Sequence, residues 1–337
     1  MKRPTVTLDD VARAAGVSYQ TVSRVINQSP NVSVRTRQKV EATMAALNYV
    51  PNRVAQQLAG KRSRVLGLAT SSLALHAPSQ IAAAIEQRAG EAGYGLVMAM
   101  VRGSGELACR AALQELRAQR VDGVLVNAPL AGAAAAALAQ KSEGWPLVFL
   151  DTDPATAAPH VLFDPAQGAR LATEHLLREG HRAIALLAGQ AGSISAQLRL
   201  QGWRQVLAEA GLLPVAERHG DWSAADGYQQ TRALLAEGTP FSALLVANDQ
   251  MALGAMRALH EAGRAVPQQV SVVGYDDTAD SAFFFPPLTT VRQDFRLLGE
   301  RAVETLLAGL AGEAASLTLP VTLVARGTTR AVEPSGQ

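Results

Sequence analysis

The sequence predicts two kinds of fold in one chain: a small all-α headpiece built on a helix-turn-helix, then an α/β core of two lobes with doubly wound parallel sheets. Three observations predict it. The 337 residues exceed what one compact core usually organises. Charge divides unevenly: up to Arg62, ten Lys and Arg face three acids and give +7, while the remaining 21 basic and 26 acidic residues give −5. From Val65 onward, short apolar runs alternate with helical patterns, the order that builds parallel sheets.

In residues 1–50, LDDVARAAG places Leu8, Val11, Ala12 and Ala15 on one helical face, and Gly16 ends that helix. Ser18 is the expected N-cap of a second helix, YQTVSRVIN, whose Val22 and Val25 pack back on the first. A third helix runs from its cap Ser33 through Val40, Met44 and Leu47 and closes a small core before Tyr49 and Pro51. The tight Gly-Val-Ser turn between the first two makes a helix-turn-helix. The side chains left outside are polar: Tyr19 and Gln20 start the second helix, and Ser23 and Arg24 follow one turn on. Such groups hydrogen-bond base edges in a major groove, with Arg to guanine and Gln to adenine geometrically favoured. Ser18, Asn27, Asn31, Ser33 and Thr36 are short polar groups suited to phosphates. The local positive charge fits a phosphate-backbone partner.

Residues 51–63 form a linker. NRVAQQLAGKRS is helical in propensity from Val54 to Leu58, about two turns, too short to be stable alone in water. It is expected to order only against a second chain and a DNA minor groove.

The core spans 64–332. Its apolar runs are VLGLA, LVMAMV, GVLVN, PLVFLD, AIALLAG, ALLVAND and VSVVGYDD, and helices such as ELACRAALQELRAQ, AQLRLQGWRQVLAEAG and MALGAMRALHEAG supply the crossovers. Thr70, Ser71, Ser72, Asn127, Asp151, Asn248, Asp249, Asp276 and Asp277 are expected immediately past strand C-termini, where open α/β sheets bind ligands. Carboxylates and amides each take two neighbouring hydroxyls. Trp222 can cover the apolar face of a sugar ring, and Arg199, on a helix capped near Ser195, adds a charged donor. A polyol is the simplest fit.

Other chemistries find little support. MKRPTVTLDD carries no apolar run behind its charges, and no stretch approaches eighteen apolar residues, so neither secretion nor membrane spanning is expected. The single cysteine, Cys109, excludes an internal disulfide and a multi-cysteine zinc site and fits a reducing cytoplasm. RGSGELA, with Gly103, Gly105 and Ala108, nearly matches a dinucleotide loop, but the next strand ends at Asn127 without the acid that holds a ribose. LAGKRS lacks the leading Gly and the following Ser or Thr of a phosphate loop. Glu174 and His175 have no nucleophile elbow near them, and no HExxH occurs. Neither catalysis, cofactor nor metal is expected.

TLDDVARAAGVSYQTVSRVIN is similar to the headpiece of the LacI family of bacterial repressors. The likeness continues through YVPNRVAQQLAGK, ATSSLALHAPSQI, GDWSA, VANDQMALGAMRA, VGYDDT and PPLTT followed by QDFRLLG, nearly the whole chain. The resemblance implies a periplasmic-binding-protein-like core, with an N-lobe of about 64–163 plus 292–321, a C-lobe of about 164–291 plus 322–332, and a tail at 333–337. It implies a cytoplasmic homodimer that represses a lactose-utilisation operon. Such a repressor binds a pseudo-palindromic operator through the major groove and the central minor groove and is released by an allolactose-like β-galactoside. The alternative is a family member that answers to a different sugar or to a corepressor. The same likeness makes Leu58 a minor-groove wedge, with Asn52, Gln56 and Ala59 beside it. It gives the sugar's polar contacts to Asp151, Arg199, Asn248 and Asp276, and stacking to Trp222. Leu75, Pro78, Ile81, Phe163, Phe295 and Leu298 become apolar lining, with Ser71, Ser195 and Gln293 nearby. LALHAPSQIAAAI and Asp280 match subunit-pairing regions, with His76 expected to meet Asp280 across the interface.

Two departures limit the transfer. Asp9 stands where the matching pattern has an aromatic DNA-contacting residue, so no contact is carried to it. After VARGTTRAVEPSGQ no leucine heptad follows, so a dimer rather than a tetramer is expected.

Overall fold

The structure is a computed structural model that describes residues 6–26, 29–49, 63–142 and 144–332. Two compact units divide the chain, residues 1–63 and 64–337.

The first unit holds α1 (Leu8–Ala15), α2 (Tyr19–Ile26) and α3 (Val34–Ala46). Thr7 caps α1 in a reciprocal box: its Oγ1 accepts from the Asp10 amide, and its own amide donates to Asp10 Oδ2 at 2.9 Å. Gly16 leaves the helix at φ 60°, and the Val17 amide returns to Ala12 O at 3.0 Å, which turns the chain into α2. Ser18 Oγ accepts from the Thr21 amide at 3.2 Å, and Ser33 Oγ accepts from the Thr36 amide at the same distance. Val11, Ala12, Ala15, Val22, Val25 and Val40 are buried together, with Leu8, Met44, Leu47 and Tyr49 packed around them. This is the core that the 3.6-residue period predicts. The spacing alone did not reveal Arg37, which donates to Ser29 O at 2.8 Å and Val25 O at 3.4 Å and so ties the end of α2 to α3.

The second unit carries two larger sheets. One has the order β2-β1-β3-β4 and is all parallel, from β1 (Val65–Thr70), β2 (Gly95–Met100), β3 (Gly123–Asn127) and β4 (Leu147–Phe149). The other runs β12-β10-β9-β8-β6-β7, from β6 (Ile184–Ala188), β7 (Ala216–His219), β8 (Ala243–Val246), β9 (Ser271–Asp276), β10 (Thr289–Arg292) and β12 (Thr322–Val324). Only β12 pairs antiparallel, at an edge. A short parallel pair, β5 (Val161–Phe163) with β11 (Leu317–Leu319), completes the strands among the described residues. Strands alternate with helices α4 (His76–Glu91), α5 (Gly105–Ala118), α6 (Gly132–Gln140), α7 (Pro165–Arg178), α8 (Ile194–Glu209), α9 (Ala224–Ala236), α10 (Asp249–Glu261) and α11 (Phe295–Gly309).

Strand pleating distributes the apolar residues among three cores. Leu66, Leu68, Leu125 and Val148 of the first sheet share one cluster with Ile184, Leu186, Leu245 and Val273 of the second. The opposite faces feed separate clusters, Val65, Val124 and Phe149 on one sheet and Leu187, Leu244 and Val272 on the other. Cys109 is buried in the cluster of Val65, Val124 and Phe149, where burial pushes its thiol up to about 11 and keeps it an apolar filler. The strands that the sequence pattern did not announce, β5, β7, β10, β11 and β12, have three or four residues each, too short to show a period. The chain crosses between sheets after β10: α11 follows that strand and packs against α4.

Candidate functional site

Two surfaces carry the residues singled out above, one in each unit. On the first, α2 turns Val22 and Val25 inward and leaves Tyr19 53% exposed, with Gln20 and Arg24 also exposed. Ser18, Asn31 and Ser33 are exposed at the flanking helix starts, and Thr36 is half-buried. Ser18 and Ser33 both use their Oγ as helix caps, so they present amide-rich N-terminal turns as well as hydroxyls. Asn27 lies outside the described residues, as do Asn52, Gln56, Leu58 and Ala59.

In the second unit, the C-terminal ends of strands from both larger sheets open onto a cavity of about 390 Å³. Ser71 follows β1, Asn127 ends β3, Asp151 follows β4, Asn248 follows β8 and Asp276 ends β9, as the parallel topology requires. Helices supply the rest: Leu75, Pro78 and Ile81 from the start of α4, Ser195 and Arg199 from α8, Phe295 and Leu298 from α11. Phe163, Trp222 and Gln293 complete a set in which all fourteen residues expected around the sugar line this one cavity. The cap of α8 is Ser193, whose Oγ accepts from the Ala196 amide; Ser195 instead sits in the first turn and shares a hydroxyl contact with Ser193 at 3.0 Å. Ser72, Gln190, Ser193 and Gln250 also line the cavity. The strand-end rule, which marked Ser72, had no hold on the other three.

Arg199 organises the polar side. Its Nη1 donates to Ala247 O at 2.5 Å and its Nη2 to Gln293 Oε1 at 3.1 Å, while Asp276 Oδ1 lies 3.9 Å from Nη2. The guanidinium is 5.8 Å from the Trp222 ring. Arg199 Nε and Asp276 Oδ1 are buried without a hydrogen-bond partner in the structure. Unpaired polar atoms on two residues that line the cavity suit the paired donors and acceptors of a polyol. Asn248 Nδ2 donates to Trp222 O at 3.0 Å while its Oδ1 caps α10 at the Met251 amide.

Burial dominates the electrostatics. It pushes the Asp276 carboxyl up to about 8, with Arg199 pulling down and Asp249 pushing up. Asp151 rises less, to about 6, by burial that Arg199 and the Ser195 backbone amide oppose. Burial thus favours the neutral form more strongly at Asp276 than at Asp151, both beside the Arg199 guanidinium. Trp222 and Asp276 hold φ of 79° and 120°, strained values of the kind that cost about 1–3 kcal/mol and cluster at binding sites. Gly189 is what admits the indole: a Cβ there would meet Trp222 Cη2 at 2.2 Å.

His76 also lines the cavity, packed edge-on against Phe295 at 5.9 Å, with Phe295 in turn edge-on to Phe163 at 5.8 Å. Burial lowers the imidazole's proton affinity, opposed by Asp249 and Asp280 of the same chain. Asp280 is exposed. Among the described residues no cluster of His, Cys, Asp or Glu is arranged to hold a metal, and no helix is long and apolar enough to cross a membrane.

Residues 7–52 match the family model of bacterial regulatory proteins, lacI family, and 173–329 match the periplasmic binding protein-like domain. Over 97% of its length the chain is 56% identical to the lactose operon repressor of Escherichia coli (strain K12), covering 91% of that protein. The lactose operon repressor of Klebsiella pneumoniae is 47% identical over 97% of the chain and 93% of its own length. A solved structure of the lac repressor dimer bound to operator and the anti-inducer ONPF superposes with a TM-score of 0.91 at 55% identity, covering 97% of this chain and 99% of that one.

Proposed function

The chain belongs to the LacI family of bacterial regulatory proteins, and from that premise we propose that it is a dimeric repressor of a lactose-utilisation operon, released by an allolactose-like β-galactoside. The single observation that supports this most is the convergence on one cavity of Arg199, Asp151, Asp276, Asn248 and Trp222, a donor, two carboxyls, an amide and a stacking face. In the headpiece, Tyr19, Gln20, Ser23 and Arg24 read base edges, while Ser18, Asn27, Asn31, Ser33 and Thr36 hold phosphates. Leu58 wedges into the central minor groove beside Asn52, Gln56 and Ala59. His76 and Asp280 lie on the subunit-pairing face. The protein works in the cytoplasm and performs no catalysis; its output is occupancy of DNA.

The cavity is walled by the strand ends of both larger sheets, so a sugar bridging them binds one arrangement of the lobes more tightly than another. A ligand shifts a second site only through that difference, typically by about 1–3 kcal/mol of coupling. Release from operator follows when the sugar-favoured arrangement is the one in which two headpieces and their linkers no longer fit DNA together.

Calorimetric titration with allolactose, and in parallel with ribose and cellobiose, tests the ligand. The reading expects saturable heat with allolactose alone. Heat only with ribose or cellobiose, or none with any sugar, refutes the β-galactoside assignment.

A further inference from the structure

Two consecutive residues at the end of β9, Asp276 and Asp277, have φ of 120° and 57°. Side chains other than glycine rarely adopt such angles, and they persist only where the surroundings over-determine them. The surroundings here are a clamp on a buried carboxylate, with Arg326 mostly buried and Arg292 about half exposed. Asp277, its side chain 6% exposed, takes Arg326 Nη2 on Oδ1 and Arg292 Nε on Oδ2, both at 2.6 Å. Arg326 is fixed in turn, donating Nη1 to Leu288 O at 2.8 Å and its amide to Thr289 Oγ1 at 2.9 Å. Arg292 ends β10, and its neighbour Gln293 donates its amide to Asp276 O at 3.2 Å and accepts from Arg199. One carboxylate thus joins the loop after β9, the strand β10 and the segment after β12. Neither Asp277 nor its two arginines line the cavity.

We infer that Asp277, gripped by Arg292 and Arg326, is the positioning residue that aims the Asp276 carboxyl and the Gln293 amide at the sugar. Exposed ion pairs contribute little, but this carboxylate is buried and both its oxygens are satisfied by charge-assisted bonds. Without the clamp, only the Gln293 amide on Asp276 O and the Thr278 amide on Asp249 Oδ2 still hold the unfavourable backbone at 276 and 277. The loop relaxes, and Asp276 leaves its place beside Arg199 and Asp249. The inference rests on the reading of the cavity as the sugar site.

The test is allolactose titration of the full-length protein and of Asp277→Ala, Asp277→Asn and Arg292→Gln, from pH 6 to 9.5, with operator affinity measured for each at fixed salt. Asp277→Ala is expected to weaken allolactose at least tenfold. Asp277→Asn and Arg292→Gln should lose less, because Asn tolerates positive φ and Arg326 remains in the latter. Operator affinity should stay within twofold. The midpoint of the pH dependence of sugar binding, near 8 in the unaltered protein, should fall in Asp277→Ala as the Asp276 carboxyl becomes better solvated. Unchanged sugar affinity and pH midpoint in Asp277→Ala overturn the inference. So does joint loss of sugar and operator binding across all three variants, which marks a merely structural clamp. Failure of the unaltered protein to bind allolactose overturns the sugar-site reading itself, and the inference with it.

Discussion

The guanidinium carbon of Arg199 lies 3.7 Å from the centre of the Tyr275 ring, so the cation that lines the cavity rests on a buried aromatic platform. Tyr275 is fully buried, its hydroxyl has no partner, and that oxygen presses towards Gly168, where a Cβ would come within 2.0 Å. The ring, not the hydroxyl, holds the arginine. Tyr275→Phe is therefore expected to bind allolactose as tightly as the unaltered protein. Arg199→Ala removes charge-assisted donors worth about 1.5–3 kcal/mol, and its allolactose affinity should fall ten- to hundredfold with operator binding retained. Calorimetry and operator titration of the two variants check both halves; normal sugar response in Arg199→Ala contradicts the pocket assignment.

Sugar affinity should fall as pH rises above about 8. The Asp276 carboxyl is held up to about 8 by burial, and a sugar that displaces water around it raises it further. The neutral carboxyl is then the sugar-binding form. Tight binding is present in full below about 8 and is lost as pH climbs through it, at most tenfold per unit. Binding curves from pH 7 to 9.5 read this directly, and affinity that climbs over that range reverses the argument.

Gly189→Ala should damage sugar binding through Trp222. A methyl at 189 enters the space of the indole, and overpacking of that kind costs about 1–3 kcal/mol. Displacement of the ring removes the stacking face, so allolactose affinity should drop about tenfold or more, with a blue or red shift in tryptophan emission. Unaltered affinity and emission would show that the ring can move without consequence.

In the headpiece, two exposed side chains separate reading from folding. Arg24→Ala is expected to lose about 1–3 kcal/mol of preference for operator over random DNA with little change in thermal stability. Thr7→Ala, which breaks the cap of α1, should instead cost about 0.5–2 kcal/mol of headpiece stability. Competition titrations and thermal melts distinguish the two, and an Arg24→Ala protein with full discrimination removes that residue from base readout.

Features legible in the sequence were those with short-range causes. The headpiece core follows from the spacing of Val11, Ala15, Val22 and Val25, and the strand ends follow from apolar runs that stop at Asn127, Asn248 and Asp276. TLDD also carries a capping signal, an acid three residues after a threonine, that was there to be read. The clamp on Asp277 and the seat of Trp222 against Gly189 join residues 15, 49 and 33 positions apart, and no local pattern encodes them. Ser193 and Ser195 were indistinguishable as caps until the helix start was fixed at Ile194. The unequal carboxyls of Asp151 and Asp276 arise from depth of burial, which only the assembled cavity sets.

Operator affinity measured with and without saturating allolactose, at one stated salt concentration, tests the coupling most directly because phosphate contacts make affinity depend on salt. The account predicts that sugar weakens specific binding at least fivefold and leaves non-specific binding unchanged. Operator affinity that is identical with and without bound sugar contradicts it.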